Sequence, residues 1–169
     1  MSSLWIWNKV PDERISEISA QNKLEDFRKL NSNYKFPSFS TISGSGPNSA
    51  IIHYKATIKS NRVLRKGDLY LVDSGGQYHY GTTDVTRTVS LENKSRNIKN
   101  IFTRVLKGHI AVSNFKIKKN TTGSIVDKNA RKFLKKISLD YPHGTGHGVG
   151  YFLNVHEGPH SLSKKNKIY

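Results

Sequence analysis

The stretch that most constrains the fold is residues 69–91, which read "LYLVDSGGQYHYGTTDVTRTVSL". The apolar run at its start and the β-branched residues at its end are typical of two strands. Three glycines lie between them and permit a tight connection. The sequence therefore predicts a β-hairpin that carries Asp73 at the end of one strand and Asp84 at the start of the next.

These two aspartates would lie on neighbouring strands, a few ångströms apart. Two carboxylates at that separation repel each other, so either one is protonated or a cation lies between them. Aspartate is also a common capping and turn residue, and the hairpin alone leaves that alternative open.

A second group of candidate ligands lies in residues 143–160, "HGTGHGVGYFLNVHEGPH". This segment contains four of the seven histidines of the chain: His143, His147, His156 and His160. Its glycines let side chains converge and let a substrate approach the backbone. A carboxylate combined with an imidazole suits Mn²⁺, Fe²⁺, Co²⁺ or Zn²⁺. The spacing is not that of a zinc finger or of an H-E-x-x-H helix.

The formal net charge of +16 raises nucleic-acid binding as a function class. However, the basic residues are scattered from Lys9 to Lys167 and accompany no nucleic-acid-binding motif, so a solvated lysine-rich surface is favoured. The absence of cysteine excludes disulfides and thiol catalysis. No apolar run approaches the ~20 residues that span a bilayer, and we expect a cytoplasmic protein without a membrane partner.

Helical periodicity is present in three segments. They are residues 12–30, with Asp12 as the cap, residues 95–115 and residues 121–137. Before the hairpin, the pattern predicts a strand near Phe39 and Ile42, a turn at 44–48 and a second strand at 50–54. Residues 140–162 have no helical period and are predicted as loop and strand.

Three segments, in this order, resemble the catalytic domain of Xaa-Pro aminopeptidase (aminopeptidase P), in the pita-bread metallopeptidase family. They are "PSFSTISGSGPNSAIIHY", "DSGGQYHYGTTDVTRTV" and "HGTGHGVGYFLNVHEGP". The resemblance implies an incomplete α+β pita-bread (creatinase/aminopeptidase) fold, with an antiparallel curved sheet and flanking helices. Residues 1–169 would form a single partial catalytic domain, consisting of the first half and the start of the second.

The same resemblance implies a role for each matching residue. Asp73 would bind one metal of a two-metal centre, Asp84 would bridge both metals, and His147 would ligate the second. His53 and His156 match catalytic histidines that line the substrate site. The metals would be two Mn²⁺, with Zn²⁺ or Co²⁺ as alternatives, and the substrates would be peptides with proline second.

The sequence departs from the family pattern after its third motif. The family centre also uses two glutamates, from an "EPG"-like and an "IEN"-like strand, and no acidic residue follows Glu157 here. We therefore expect at most one weakly bound ion and slow or absent hydrolysis by this chain alone. The chain would be either a decayed enzyme or one whose centre is completed by a separately encoded C-terminal fragment or a homodimer.

Two alternatives to the aminopeptidase stay open. One is a prolidase-like enzyme, and the other is a metal-free pita-bread module that binds a partner. Arg87 has two readings as well: a pair with Asp84 or a neighbour, or a surface strand residue.

Overall fold

The computed structural model describes residues 14–90, 92, 94–152 and 154–164, which form two compact units. The first contains the described residues up to 92 and those of 150–155, and the second contains 94–149 and the described residues from 156. Every strand pair is antiparallel. Within the described ranges, no helix has both the length and the apolar character needed to cross a membrane.

The first helix, α1, spans Glu17–Lys29. It begins there because Ser16 and Ser19 form a capping box, in which each side chain accepts a hydrogen bond from the backbone N–H of the other. The predicted helix began at residue 12 with Asp12 as its cap. Asp12 lies outside the described residues, and the observed cap is Ser16.

The strands of the first unit form two three-stranded sheets, in the orders β2-β3-β6 and β1-β4-β5. Their bounds are β1 Tyr34–Pro37, β2 Ile42–Ser45, β3 Leu69–Ser74, β4 Gly76–Tyr78, β5 Gly81–Thr82 and β6 Val85–Ser90. The predicted hairpin is present as the pair β3 and β6. Strands β4 and β5 lie between them in the chain, so the connection is longer than a tight turn.

The core of the first unit joins α1 to the β2-β3-β6 sheet. Ile15, Ala20, Leu64 and Tyr70 are its buried members, and Val72 packs against them. Tyr70 is 1% exposed, and its hydroxyl lies 2.8 Å from the Ser43 hydroxyl. Burial raises the pKa of Tyr70 to about 12, so the ring is neutral over the physiological range.

The predicted strand at residues 50–54 is wrong. The chain forms a 3₁₀ helix over Gly46–Ala50 and then a turn, with His53 in the left-handed region at φ +57°. Apolar residues favour a strand here, but Ile51 and Ile52 are exposed. The side chains of Asn48 and Tyr54 instead hydrogen-bond to the buried carboxylate of Glu17.

The described part of the second unit consists of two helices and one strand pair. They are α2 Arg96–Ser113, α3 Gly123–Lys135, β7 Gly146–Gly148 and β8 Glu157–Leu162. Both helices begin within two residues of their predicted positions. The two strands lie in the segment that was predicted to be loop and strand.

Helices α2 and α3 approach each other closely at Gly108. A Cβ atom built at Gly108 would collide with the backbone carbonyl oxygen of Ala130. Backbone cannot rotate away as a side chain can, so the helix contact requires a residue without a side chain at this position.

A buried ion pair on α3 holds the segment that leads into β7. Arg131 is 2% exposed and donates to Asp127 at 2.8 Å, and Asp127 also accepts from the Thr145 hydroxyl at 2.7 Å. The same guanidinium donates to the carbonyls of Tyr141 and His143. The segment 141–145 is therefore fixed by one buried cation and its carboxylate.

We predict that Gly108→Ala lowers the free energy of unfolding by about 1–3 kcal/mol, because the added methyl forces the helices apart. Replacing glycine by alanine at an exposed helix position would instead raise the free energy of unfolding by ~1 kcal/mol. The sign of the change in this free energy therefore distinguishes the two effects. Gly81→Ala is the control, since nothing lies within 4 Å of a Cβ there. Urea denaturation of both variants measures the difference, and equal stability would contradict the close approach.

The ion pair between Asp127 and Arg131 predicts that the fold loses stability in acid. Burial alone would raise the pKa of Asp127, but hydrogen bonds from Arg131 and Thr145 lower it overall. Lys164 and then Arg131 lower the pKa of Asp140. Both carboxylates thus stabilise the fold above their unfolded pKa of about 3.9, and this stabilisation is lost as the pH falls through the lower folded values.

Asp127→Asn should therefore be less stable than the wild type at pH 7 and should lose less further stability between pH 5 and pH 2. Urea denaturation at several pH values measures both effects. Asp26→Asn, an exposed position on α1, should keep the wild-type acid dependence. An unchanged dependence in Asp127→Asn would contradict the role of the ion pair.

Candidate functional site

The register of β3 and β6 brings Asp73 and Asp84 together. Asp73 pairs with Thr86 and Ser74 pairs with Val85, and Asp84 directly precedes β6. Asp84 is therefore two positions from the residue opposite Asp73. Such diagonal neighbours on antiparallel strands lie about 7–8 Å apart at Cα and closer at their side chains. Both aspartates are half-buried.

The excursion between the two aspartates is closed at its base. Gly76 and Thr83 exchange backbone and side-chain hydrogen bonds of 2.9 Å. Ser38 donates from its hydroxyl to the Thr83 carbonyl at 2.7 Å. A Cβ at Gly75 would collide with that same carbonyl oxygen. The glycine therefore permits the two chain segments to meet two residues after Asp73 and one residue before Asp84.

Helix α1 supports this hairpin through polar side chains. Arg28 donates to the Ser74 hydroxyl at 2.7 Å, which places a guanidinium one residue from Asp73. The Tyr34 hydroxyl donates to Glu25 at 2.5 Å. Burial, with this hydrogen bond, raises the pKa of Tyr34. The hairpin is thus fixed against the helix beside the two carboxylates.

His53 lies in the same unit, in the turn that follows the 3₁₀ helix. Its side chain is exposed, and its backbone has the positive φ that non-glycine residues rarely adopt. The next residue, Tyr54, is buried. The local structure therefore presents the imidazole to solvent from an anchored segment.

His147 and His156 come together in the second unit. Their rings lie 4.0 Å apart between centroids. His147 is on β7 opposite Ser161 of β8. Its Nδ1 lies 2.8 Å from the carbonyl oxygen of Gly148. A carbonyl can only accept, so this bond requires the proton on Nδ1, and Nε2 is the ring nitrogen that keeps its lone pair.

The remaining histidines of the segment lie near the ion pair of α3. His143 and His160 help to line a cavity of about 790 Å³ in the second unit. The cavity wall also includes Arg131 and Lys164. Neither histidine belongs to the pair formed by His147 and His156.

Each unit offers side-chain atoms of the kind that bind a divalent metal. The first offers two carboxylates from one hairpin, and the second offers an imidazole whose Nδ1 is already committed to a carbonyl. Fixing one ring nitrogen in this way orients the other toward a metal and raises its basicity. Oxygen with imidazole is a donor set for Mn²⁺, Co²⁺ or Zn²⁺.

Arg87 is an exposed residue of β6 opposite Val72. Its guanidinium donates to the Thr86 carbonyl at 2.8 Å. This arrangement agrees with the surface alternative.

Sequence reasoning missed the buried charges that hold the candidate segments. Asp127 and Arg131 are four residues apart on the apolar face of α3, among Val126, Ala130 and Leu134. Opposite charges at that spacing on a buried face are a signal that could have found them. Glu17 gave no such signal, because it follows a cap serine as many surface glutamates do.

Comparison with known proteins identifies the family. Metallopeptidase family M24 matches residues 5–168. The chain is 51% identical over 148 residues to a probable Xaa-Pro aminopeptidase P of Laccaria bicolor, covering 88% of this chain and 23% of that protein. It is 46% identical over 166 residues to aminopeptidase P2 of Arabidopsis thaliana, covering 96% and 23%.

Solved structures agree with the sequence relatives. A crystal structure of X-prolyl aminopeptidase from Caenorhabditis elegans, described as a cytosolic enzyme with a di-nuclear active site, superimposes with a TM-score of 0.90 and 40% identity, covering 95% of this chain and 26% of that one. Prolidase from Pyrococcus furiosus gives a TM-score of 0.79 at 28% identity, covering 96% and 49%.

The chain thus spans about a quarter of the length of the curated relatives it matches. The predicted α+β pita-bread fold is confirmed by these structures, while the predicted single partial domain stays a prediction. With a match over nearly all of its residues, the chain belongs to metallopeptidase family M24.

Proposed function

We propose that this chain is the metal-binding portion of an aminopeptidase of the Xaa-Pro type, which removes the first residue from peptides with proline second. The observation that carries the proposal is the β3–β6 register, which makes Asp73 and Asp84 diagonal neighbours in a chain of net charge +16. Such a basic chain has many lysines and arginines with which to separate two carboxylates. Keeping them adjacent makes physical sense if a cation joins them.

Each proposed ligand has a distinct part. Asp73 would hold one metal, and Asp84, whose carboxylate has two oxygens, would hold both. His147 would hold the second metal through Nε2, because its Nδ1 donates to the Gly148 carbonyl. When bound, the divalent ions supply a nucleophile from water at neutral pH and polarise the scissile carbonyl.

The chain's own histidines act on the peptide. His53, on its anchored turn, and His156, beside His147, position the substrate near the reacting bond. A neutral imidazole can donate a hydrogen bond to the oxygen that gains negative charge or to the departing nitrogen. Both histidines are exposed residues, which leaves room for a peptide.

The charge of the two carboxylates limits the number of metal ions that the chain can hold. Two divalent ions carry +4, whereas Asp73 and Asp84 supply −2. We propose that the chain alone holds at most one ion, with Mn²⁺ preferred over Zn²⁺ or Co²⁺. Further carboxylates, in addition to those of Asp73 and Asp84, would complete a two-ion centre. A cytoplasmic location is proposed by analogy with the enzyme described as cytosolic.

A prolidase-like activity is the second candidate, because solved prolidases share the fold at 28% identity. The aminopeptidase reading is preferred, since identity to the X-prolyl aminopeptidase is 40% and the TM-score is higher, at 0.90 against 0.79. The two activities differ in the length of the peptide substrate. Comparing the cleavage of a tripeptide with that of a dipeptide therefore distinguishes them.

The metal proposal predicts that the purified chain binds no more than one Mn²⁺, weakly, by isothermal titration calorimetry. Asp84→Asn and His147→Gln should each weaken binding about tenfold or more, because each removes a ligand. The isolated chain should release no residue from an Xaa-Pro peptide.

Matched controls are Asp26→Asn and His109→Gln, which remove the same groups at exposed positions on α1 and α2. They should bind Mn²⁺ as the wild type does. Two tightly bound ions would contradict the charge argument. The absence of any binding would favour a metal-free partner-binding module.

Substrate class is tested in a chimera, in which this chain replaces the corresponding segment of the Caenorhabditis elegans enzyme. We predict release of the first residue from Ala-Pro-Ala, with little from Ala-Ala-Ala or the dipeptide Ala-Pro. Asp84→Asn in the chimera should lower turnover about a hundredfold or more. High-performance liquid chromatography of the released alanine measures the rate.

Asp26→Asn in the same chimera should leave turnover unchanged. Preferred hydrolysis of Ala-Pro would show that the prolidase alternative is right. Full turnover in the Asp84→Asn chimera would show that the Asp84 carboxylate is not needed to bind the metal.

A further inference from the structure

Glu17 is a fully buried carboxylate at the first position of α1. A buried carboxylate is costly unless hydrogen-bond donors replace its water shell. Its donors come from four positions outside the helix: the Ser45 N–H at 2.7 Å, the Asn48 side chain at 3.0 Å, the Tyr54 hydroxyl at 2.9 Å and the Arg62 N–H at 3.0 Å. All of these positions lie in the first unit.

The two side-chain donors enclose the segment that carries His53. Asn48 lies before it, in the 3₁₀ helix, and Tyr54 follows it directly. The Asn48 amide also donates to the Tyr54 hydroxyl at 2.8 Å. Residues 48–54 therefore form a loop whose two ends meet at one carboxylate.

The loop holds its histidine in an unfavourable backbone conformation. A φ of +57° at His53 brings Cβ close to the carbonyl oxygen and costs free energy in any residue other than glycine. Such a conformation persists only where the surrounding structure fixes it. Here the Tyr54 N–H donates to the Ile51 carbonyl at 3.2 Å, and the two anchored ends fix the rest.

We propose that Glu17 is a positioning residue for His53: its carboxylate anchors both ends of loop 48–54 and so sets the direction in which the imidazole is presented. The inference rests on the proposed function, in which His53 contacts the peptide. A carboxylate suits this role better than an amide because all of its partners donate. The NH₂ group of a glutamine would face at least one of these donors.

Nuclear magnetic resonance tests the inference without metal or peptide. A positive φ shortens the distance between the amide and Hα protons of one residue, so His53 should give a strong intraresidue nuclear Overhauser effect. Tyr54→Phe removes one hydroxyl from Glu17 and keeps the ring. We expect it to weaken this signal and to accelerate exchange of the Tyr54-position amide about tenfold.

Tyr34→Phe is the matched control, because it removes a tyrosine hydroxyl bonded to another glutamate of α1, Glu25. It should leave the His53 signal and the amide exchange unchanged. Glu17→Gln should disturb both more than Tyr54→Phe does. If Glu17→Gln does not fold, Tyr54→Phe still decides the question.

The inference is overturned if Tyr54→Phe folds and leaves the His53 signal and amide exchange at wild-type values. It is also overturned if Tyr34→Phe disturbs them equally, since the effect would then be general loosening. Neither readout depends on turnover. An inactive chimera would therefore count against the proposed function alone.

Discussion

The proposed metal site depends on the antiparallel pairing of β3 with β6. It runs from Leu69 opposite Ser90 to Ser74 opposite Val85, and it leaves Asp73 on β3 and Asp84 directly before β6. A shift of one residue would turn one carboxylate to the opposite face. The register is fixed by the buried side chains of Tyr70 and Val89, which pair with each other in the ladder.

Buried charges perform the same task in both units. Glu17 in the first unit accepts hydrogen bonds from the ends of loop 48–54, and Arg131 in the second donates to the carbonyls that precede β7. Irregular segments cannot satisfy their own polar groups as helices and sheets do. A single buried ion with many partners fixes such a segment, and removing one partner of a buried pair typically costs about 3–5 kcal/mol.

Local patterns predicted the elements whose stability is local. Helices α2 and α3 and strands β3 and β6 follow the apolar periodicity and β-branched runs of their own residues. The strand predicted at 50–54 is absent because bonds to Glu17, more than thirty residues earlier, override the preference of Ile51 and Ile52. Asp73, Asp84, His147 and His156 were proposed as site residues from their motifs, and their roles stay predictions. Of the buried charges near them, Asp127 and Arg131 have a local signal in their spacing on the apolar face of α3. The burial of Glu17 depends on tertiary contacts and could not be predicted from local pattern.

We propose that one cation is shared by the carboxylates of Asp73 and Asp84. Carbon-13 spectra of aspartate-labelled chain, titrated with diamagnetic Zn²⁺, test it directly, with signals assigned through Asp73→Asn and Asp84→Asn. If the cation is shared, the carboxylate signals of Asp73 and Asp84 shift together and saturate at one Zn²⁺ per chain, while those of Asp26 and Asp127 stay in place. Zn²⁺ that moves only one of the two signals, or neither, would contradict it.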